Sequence, residues 1–256
     1  MNSEQALPGG NMSSVWRVGD TVHRDAGPWT PQVHRLLSLL HARGVTCVPA
    51  PLGIDEAGRE VLTYLPGEVG ASPLAQPHRS DAVIIQAARL LRAIHDATEA
   101  VAAQWTTGWR APVRAPVEVI CHGDFAPYNC VFVDDELVGV FDFDFAHAGP
   151  RVWDIAYALY RFAPMADPAQ TEGFGSPAAQ ARRMRRFCDA YGLEDRARVF
   201  ENVMLRIQSM VDFLLEGQAI GDARRIANIE AGHLRVYQHD LAYVRRHRAI
   251  YAAALA

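Results

Sequence analysis

The chain contains no lysine; all 25 of its basic residues are arginine. Any task that other proteins give to an ammonium group must here fall to a guanidinium or stay unfilled, and the two groups differ in reach, planarity and hydration. Cysteine is scarce as well: Cys47, Cys121, Cys130 and Cys188 show no C-x-x-C spacing. That excludes a disulfide framework, and it leaves Cys121, His122 and Cys130 without the second ligand pair a structural zinc needs. No stretch reaches the ~18 consecutive apolar residues of a membrane helix. The opening Met1-Asn2-Ser3-Glu4-Gln5 lacks the basic then apolar character of a secretory signal. Reduced thiols and a cytoplasmic location are therefore expected. The net charge of −4 argues against nucleic acid as the main partner. There is no internal repeat and no low-complexity tail.

What is present is 256 residues, half of them apolar, enough for one large domain or two modest ones. The first part reads as strands around one helix. Ser14 to Val18 and Thr21 to Arg24 flank Gly19-Asp20, a two-residue hairpin turn. A helix follows, with Thr30 at the N-cap, Pro31 at its first position, Gly44 as its stop, and Val33, Leu36, Leu37 and Leu40 on one face. Leu52 to Ile54 and Val61 to Leu65 read as two more strands joined through Asp55-Glu56-Ala57-Gly58. Pro66-Gly67 and the stretch to Pro77 suit a hinge, and Ser80 suits the cap of a helix bearing Ile84, Ala87, Leu91 and Ile94. Val117 to Cys121 is a strand, and Val131 to Val133 with Val138 to Phe141 form a hairpin around Asp134-Asp135-Glu136. From Trp153 onward the periodicity is helical.

The chemistry concentrates in His122-Gly123-Asp124-Phe125-Ala126-Pro127-Tyr128-Asn129 and in Asp142-Phe143-Asp144. An Asp and an Asn five residues apart, then an Asp thirteen residues later across a hairpin, answer the needs of phosphoryl transfer. That reaction requires a carboxylate to orient the attacking hydroxyl and oxygen ligands to hold magnesium on the phosphates.

With these residues the chain resembles the aminoglycoside phosphotransferase and choline kinase superfamily, whose signature is H-G-D-x-x-x-x-N followed by I-D-[WF]. Further segments match in order. Leu7-Pro8-Gly9-Gly10-Asn11-Met12-Ser13 and the hairpin after it resemble the nucleotide loop, and Thr63 to Glu68 resembles the hinge. Leu90 to His95 resembles the L-x-x-L-H helix, Trp153 to Ala156 the D-L-A segment, and Phe187 to Leu193 the F-x-x-x-Y-G-L segment. The resemblance implies an α+β, two-lobed, protein-kinase-like fold. A small N-terminal antiparallel sheet with one helix (1–66) would bind nucleotide, and a larger, mainly helical C-terminal lobe (67–256) would carry catalysis and substrate. It implies transfer of the γ-phosphoryl of ATP or GTP to a hydroxyl of a small molecule, an antibiotic or a metabolite, with neither nucleic acid nor membrane as partner.

Carried over by position, Asp124 is the catalytic residue, and Asn129 and Asp142 are the Mg2+ ligands. Gly9, Gly10, Asn11, Ser13, Arg24, Tyr64 and Leu65 contact nucleotide. Asp144 is a secondary candidate, His122 braces the loop, and Asp154 is structural. The family's nucleotide-anchoring lysine falls at Arg24, with Arg35 and Arg43 as other guanidiniums for the same space. The glutamate that usually pairs with that lysine belongs in the next helix, yet no acid occurs between Asp25 and Asp55. The absence of this lysine–glutamate pair motivates a second reading, a kinase-like nucleotide binder with little catalysis. A third comes from Val140-Phe141-Asp142-Phe143-Asp144, which resembles the D-x-D of aspartate-nucleophile phosphatases.

Duller readings cover the rest. Trp153, Tyr157 and Tyr160 are core, His95 and His147 are structural histidines, and Arg182-Arg183-Arg185-Arg186 and Arg245-Arg246-His247-Arg248 are solvated helix faces. From Arg182 onward thirteen arginines stand against nine acids, which argues against a polycationic acceptor.

Overall fold

The computed structural model describes residues 4–7, 15–71, 74–170 and 173–256. In chain order the strands and helices are β1 (Glu4–Ala6), β2 (Val15–Val18), β3 (Thr21–Asp25), α1 (Thr30–Ala42), β4 (Pro51–Ile54), β5 (Arg59–Thr63), β6 (Glu68–Val69), α2 (Asp81–Ala102) and β7 (Val119–Cys121). Then come β8 (Cys130–Val133), β9 (Glu136–Val140), β10 (His147–Gly149), α3 (Arg151–Phe162), α4 (Pro177–Tyr191), α5 (Val199–Ala219), α6 (Ala223–Glu230), α7 (His233–Arg246) and α8 (Arg248–Leu255). Single 3-10 turns sit at Pro77–Arg79, Pro127–Asn129 and Phe143–Phe145.

The chain divides into two compact units. The first holds the described residues up to Val69, with Arg92–Asp124 and Asn129–Arg151; the second holds Gly70–Leu91, Phe125–Tyr128 and Val152–Ala256. Among the described residues no helix is long and apolar enough to cross a membrane.

In the first unit a five-stranded antiparallel sheet has the order β1-β2-β3-β5-β4. Gly19, at φ 61°, closes the β2–β3 hairpin in a conformation that costs glycine least. Val33, Leu36, Leu37 and Leu40 of α1 are buried at the expected helical spacing. The expected cap differs. Trp29 occupies the N-cap position without a side-chain hydrogen bond, and Thr30 is already helical, its Oγ1 accepting from the Gly27 N–H at 2.9 Å. Thr30 thus stabilises the turn before the helix rather than the helix end.

Strand β5 lies between β3 and β4, so β3 faces a partner from more than thirty positions later in the chain. A three-stranded sheet, β6-β8-β9, and a two-stranded one, β10-β7, complete this unit. Asp134 and Asp135, at φ 49° and 64°, form the β8–β9 turn, a conformation short polar side chains tolerate. Buried Thr98 on α2 accepts from the Ile120 N–H at 3.1 Å and so pins β7.

The second unit is built of helices around a tyrosine-rich core. Tyr160 donates to buried Asp240 at 2.6 Å, and Tyr243 and Tyr251 both donate to Gln180 Oε1. Trp153, Tyr157 and Tyr160 are core residues, as expected. The arginine run on α4 corrects the expectation in part. Arg182, Arg185 and Arg186 are exposed, but Arg183 is buried and donates to the carbonyls of Phe162 and Arg79.

Candidate active site

Strand β7 delivers His122, Gly123 and Asp124 to the end of the two-stranded sheet. Gly123 has φ 82°, and a Cβ there would stand 2.1 Å from the Phe145 carbonyl oxygen. Only glycine lets the Asp124 loop lie this close to the segment that follows Asp142. His122 Nε2 donates to the Phe141 carbonyl at 3.1 Å, and its ring centroid is 4.4 Å from that of Phe143. Its Nδ1 accepts from the Asp124 N–H at 3.3 Å. One imidazole thus ties the Asp124 backbone to the residues on either side of Asp142.

Asn129 ends the 3-10 turn before β8. Its Nδ2 donates to the Asp124 carbonyl and to Asp124 Oδ2, each at 2.9 Å. Its own carbonyl accepts from the Phe141 N–H at 2.9 Å, which holds the approach to Asp142 alongside. Asp142 itself adopts φ 64° and ψ 67°, the left-handed region. A non-glycine residue there costs energy, a cost often met at functional positions.

Arg24, on β3, reaches into this cluster. Nη1 donates to Asp142 Oδ1 at 3.0 Å and Nη2 to Asp144 Oδ1 at 2.6 Å, while Nε pairs with Glu60 on β5. The other Glu60 oxygen is 3.0 Å from His34 Nε2 on α1. Arg110 approaches Asp144 Oδ2 at 3.5 Å, its guanidinium 4.4 Å from the Trp29 ring and 4.7 Å from the Phe145 ring. Burial opposes the charge on Arg24, but Asp142, Asp144 and Glu60 outweigh it and hold the guanidinium protonated. Burial pushes the Asp144 carboxyl up from its usual range, against the pull of Arg24.

These elements match a known set of proteins. The model of the phosphotransferase enzyme family matches residues 4–118 and 98–199. The chain belongs to that family. It is 33% identical over 207 residues to the trifolitoxin immunity protein of Rhizobium leguminosarum bv. trifolii, covering 77% of each chain. Its fold is similar to that of aminoglycoside 2′-phosphotransferase-IIIa in a GDP complex, with TM-score 0.66, 17% identity, and 94% and 93% of the two chains covered. It is also similar to a choline/ethanolamine kinase family protein from Mesorhizobium loti, with TM-score 0.58, 17% identity, and 96% and 93% covered. The kinase-like fold is therefore established.

In this phosphotransferase family member Asp124, Asn129, Asp142, Asp144, His122 and Arg24 form one hydrogen-bonded cluster, all within the first unit. Tyr64 and Leu65 lie on the stretch after β5. The Tyr64 N–H donates to Asp20 at 2.9 Å, with the Arg17 guanidinium 3.9 Å over its ring. Gly9, Gly10, Asn11 and Ser13 lie outside the described residues. Of the other arginines, Arg35 stacks on Trp105 at 4.1 Å and Arg43 is exposed on the surface.

The expectation that Arg24 lacks an acidic partner is corrected, because Glu60 supplies one from the neighbouring strand. Glu60, His34, Arg110 and Trp29 are the cluster members that sequence reasoning missed. Glu60 and Leu62 are the buried positions of β5, so an acid alternating with leucine on a strand was the available signal. The D-x-D segment follows β9, an antiparallel hairpin strand inside the family match, and the phosphatase reading falls with that placement.

The donor atoms present fit magnesium. Asn129 spends its amide N–H groups on Asp124, so the side-chain atom left is an oxygen, and Asp142 supplies a carboxylate. One or two protein oxygens of this type, completed by phosphates and water, are what the ion usually takes.

Proposed function

We propose that this chain moves the γ-phosphoryl of ATP or GTP to a hydroxyl of a small molecule. The observation that carries the reading is the Arg24 bridge. One guanidinium joins a buried glutamate to Asp142 and Asp144, beside the Asp124–Asn129 pair. In this reading Arg24 is the phosphate anchor and the carboxylate it bonds, Asp142, the metal ligand. Glu60 supplies the acid, while an arginine still stands where the family has lysine, so a kinase-like nucleotide binder with little catalysis stays as the second reading.

In this reading Asp124 accepts a hydrogen bond from the acceptor hydroxyl, aims its oxygen at the γ-phosphorus and takes its proton as the bond forms. The bond from the γ-phosphorus to the bridging oxygen breaks, and a nucleoside diphosphate leaves. Asn129 and Asp142 would hold Mg2+, which supplies charge neutralisation on the phosphates. Arg24 holds phosphate oxygens, and Glu60 with His34 keeps its guanidinium aimed. Arg110 keeps Asp144 oriented. Gly9, Gly10, Asn11 and Ser13 with Tyr64 and Leu65 would cradle the nucleotide, by position. A nucleotide-dependent reaction of this kind belongs in the cytoplasm. The relative named as an immunity protein fits an acceptor that is toxic to the cell, with metabolites as the other class.

The test is a panel of hydroxyl compounds, antibiotics and metabolites together, incubated with ATP or GTP and magnesium. A mass gain of one phosphoryl group on one class of acceptor, abolished in Asp124→Asn, supports the reading. Nucleotide binding without transfer to any acceptor favours the non-catalytic binder.

A further inference from the structure

A cavity of about 340 Å3 lies in the second unit, between the start of α2 and the first half of α4, with Phe174 in its wall. Three of its lining side chains, Arg182, Arg183 and Arg186, come from one helix, with Arg186 three residues after Arg183 and four after Arg182, where side chains are neighbours. Like charges at those spacings repel. Among the described residues the one carboxylate in the lining is Asp81, which pairs with Arg186 and stands 3.9 Å from Arg183.

Arg79 adds a fourth guanidinium beside the cavity, 4.5 Å from the Phe174 ring, which also faces Arg183 at 5.3 Å. Arg183 is nine-tenths buried, and its remaining partners are neutral: the carbonyls of Phe162 at 3.0 Å and Arg79 at 2.6 Å. Burial and then the charge of Arg79 push the Arg183 guanidinium down to about 10. A buried cation depressed by a like charge marks a place where positive charge is not balanced within the protein.

We propose that this cavity binds a small, multivalent oxyanion of the phosphate class. Among the described residues four guanidiniums stand against one carboxylate, a local excess of three positive charges. A phosphate monoester or pyrophosphate brings close to two or more negative charges at neutral pH, where a simple carboxylate brings one. The planar fork of arginine matches phosphate oxygens two at a time. An anion of this class fits within the volume of about 340 Å3. The site belongs to α2 and α4 and shares no residue with the Arg24–Asp142 cluster.

The test is calorimetry on the full chain without magnesium, at low ionic strength, with pyrophosphate, inorganic phosphate, glycerol phosphate and citrate as probes. Pyrophosphate should bind, and its Kd should weaken at least tenfold in Arg182→Gln/Arg186→Gln. Both positions are exposed, so the fold should persist. Asp81→Asn should tighten binding several-fold, an effect that a folding defect cannot imitate. Tighter glycerol phosphate than inorganic phosphate would identify an esterified ligand, and the reverse order a free phosphate; either supports the phosphate class. Absence of pyrophosphate binding, an unchanged Kd in the double variant, or citrate binding more tightly than every phosphate probe would overturn the proposal.

Discussion

Arg24 and Glu60 stand directly opposite one another across the β3–β5 ladder and pair on the buried face of the sheet, with side-chain exposures of 10% and 1%. Removing one member of such a pair leaves the other charged in a dry site. Arg24→Ala should therefore destabilise the fold by about 3–5 kcal/mol. Denaturant unfolding of the wild type and variant measures this directly. An Arg24→Met/Glu60→Leu double variant should recover most of the loss, because both charges leave together. Equal stability of Arg24→Ala and the wild type would contradict a buried pair.

Asp124→Asn should keep the loop, since an amide oxygen still accepts from Asn129 Nδ2, while abolishing the capacity to take a proton. The kcat for phosphoryl transfer should fall by roughly 10²–10⁴-fold. Nucleotide affinity should stay close to that of the wild type. Turnover retained in this variant would shift the role to another carboxylate, with Asp144 as the secondary candidate.

Gly123→Ala tests the contact that brings the two halves of the site together. The added methyl meets the Phe145 carbonyl and forces an unfavourable positive φ. Thermal unfolding should show a lower Tm, and whatever protein remains folded should have lost transfer activity. A variant with unchanged Tm and kcat would mean that the close approach is dispensable.

Asp55 provides a pH signature. His23 first, then the Arg59 backbone and side chain, hold its carboxyl below the usual range. A carboxylate depressed in the folded state stabilises it above the ordinary value of 3.8 and loses that contribution as pH falls through the folded-state value. Asp55→Asn should therefore unfold at a lower Tm than the wild type at pH 7. The difference should shrink steadily below the ordinary carboxylate range. A constant difference across the acid range would rule out the ionised Asp55 as its source.

Much of this was legible in the sequence because its signals are local. The Gly19-Asp20 hairpin, the apolar stripe of α1 and the β8–β9 hairpin each depend on residues a few positions apart. So does the Asp124, Asn129 and Asp142 spacing. Glu60 was not legible, because nothing local says that β5 inserts between β3 and β4 and so faces Arg24. The burial of Arg183 was readable and overlooked. It lies three residues after Gln180 and four before Phe187, on the stripe α4 buries, but the surrounding arginines masked that period. Arg110 comes from the irregular stretch before β7, where no periodicity points to a partner such as Asp144.

The most direct test of the account is calorimetric titration of ATP and GTP into the protein with and without magnesium, repeated in Asp142→Ala. The account predicts clear binding of at least one nucleotide with the metal present and a large loss of affinity on its removal. In Asp142→Ala the affinity should be weak and the same under both conditions. Equal affinity of the wild-type protein with and without magnesium would contradict the assignment of Asn129 and Asp142, and with it the proposed phosphoryl transfer.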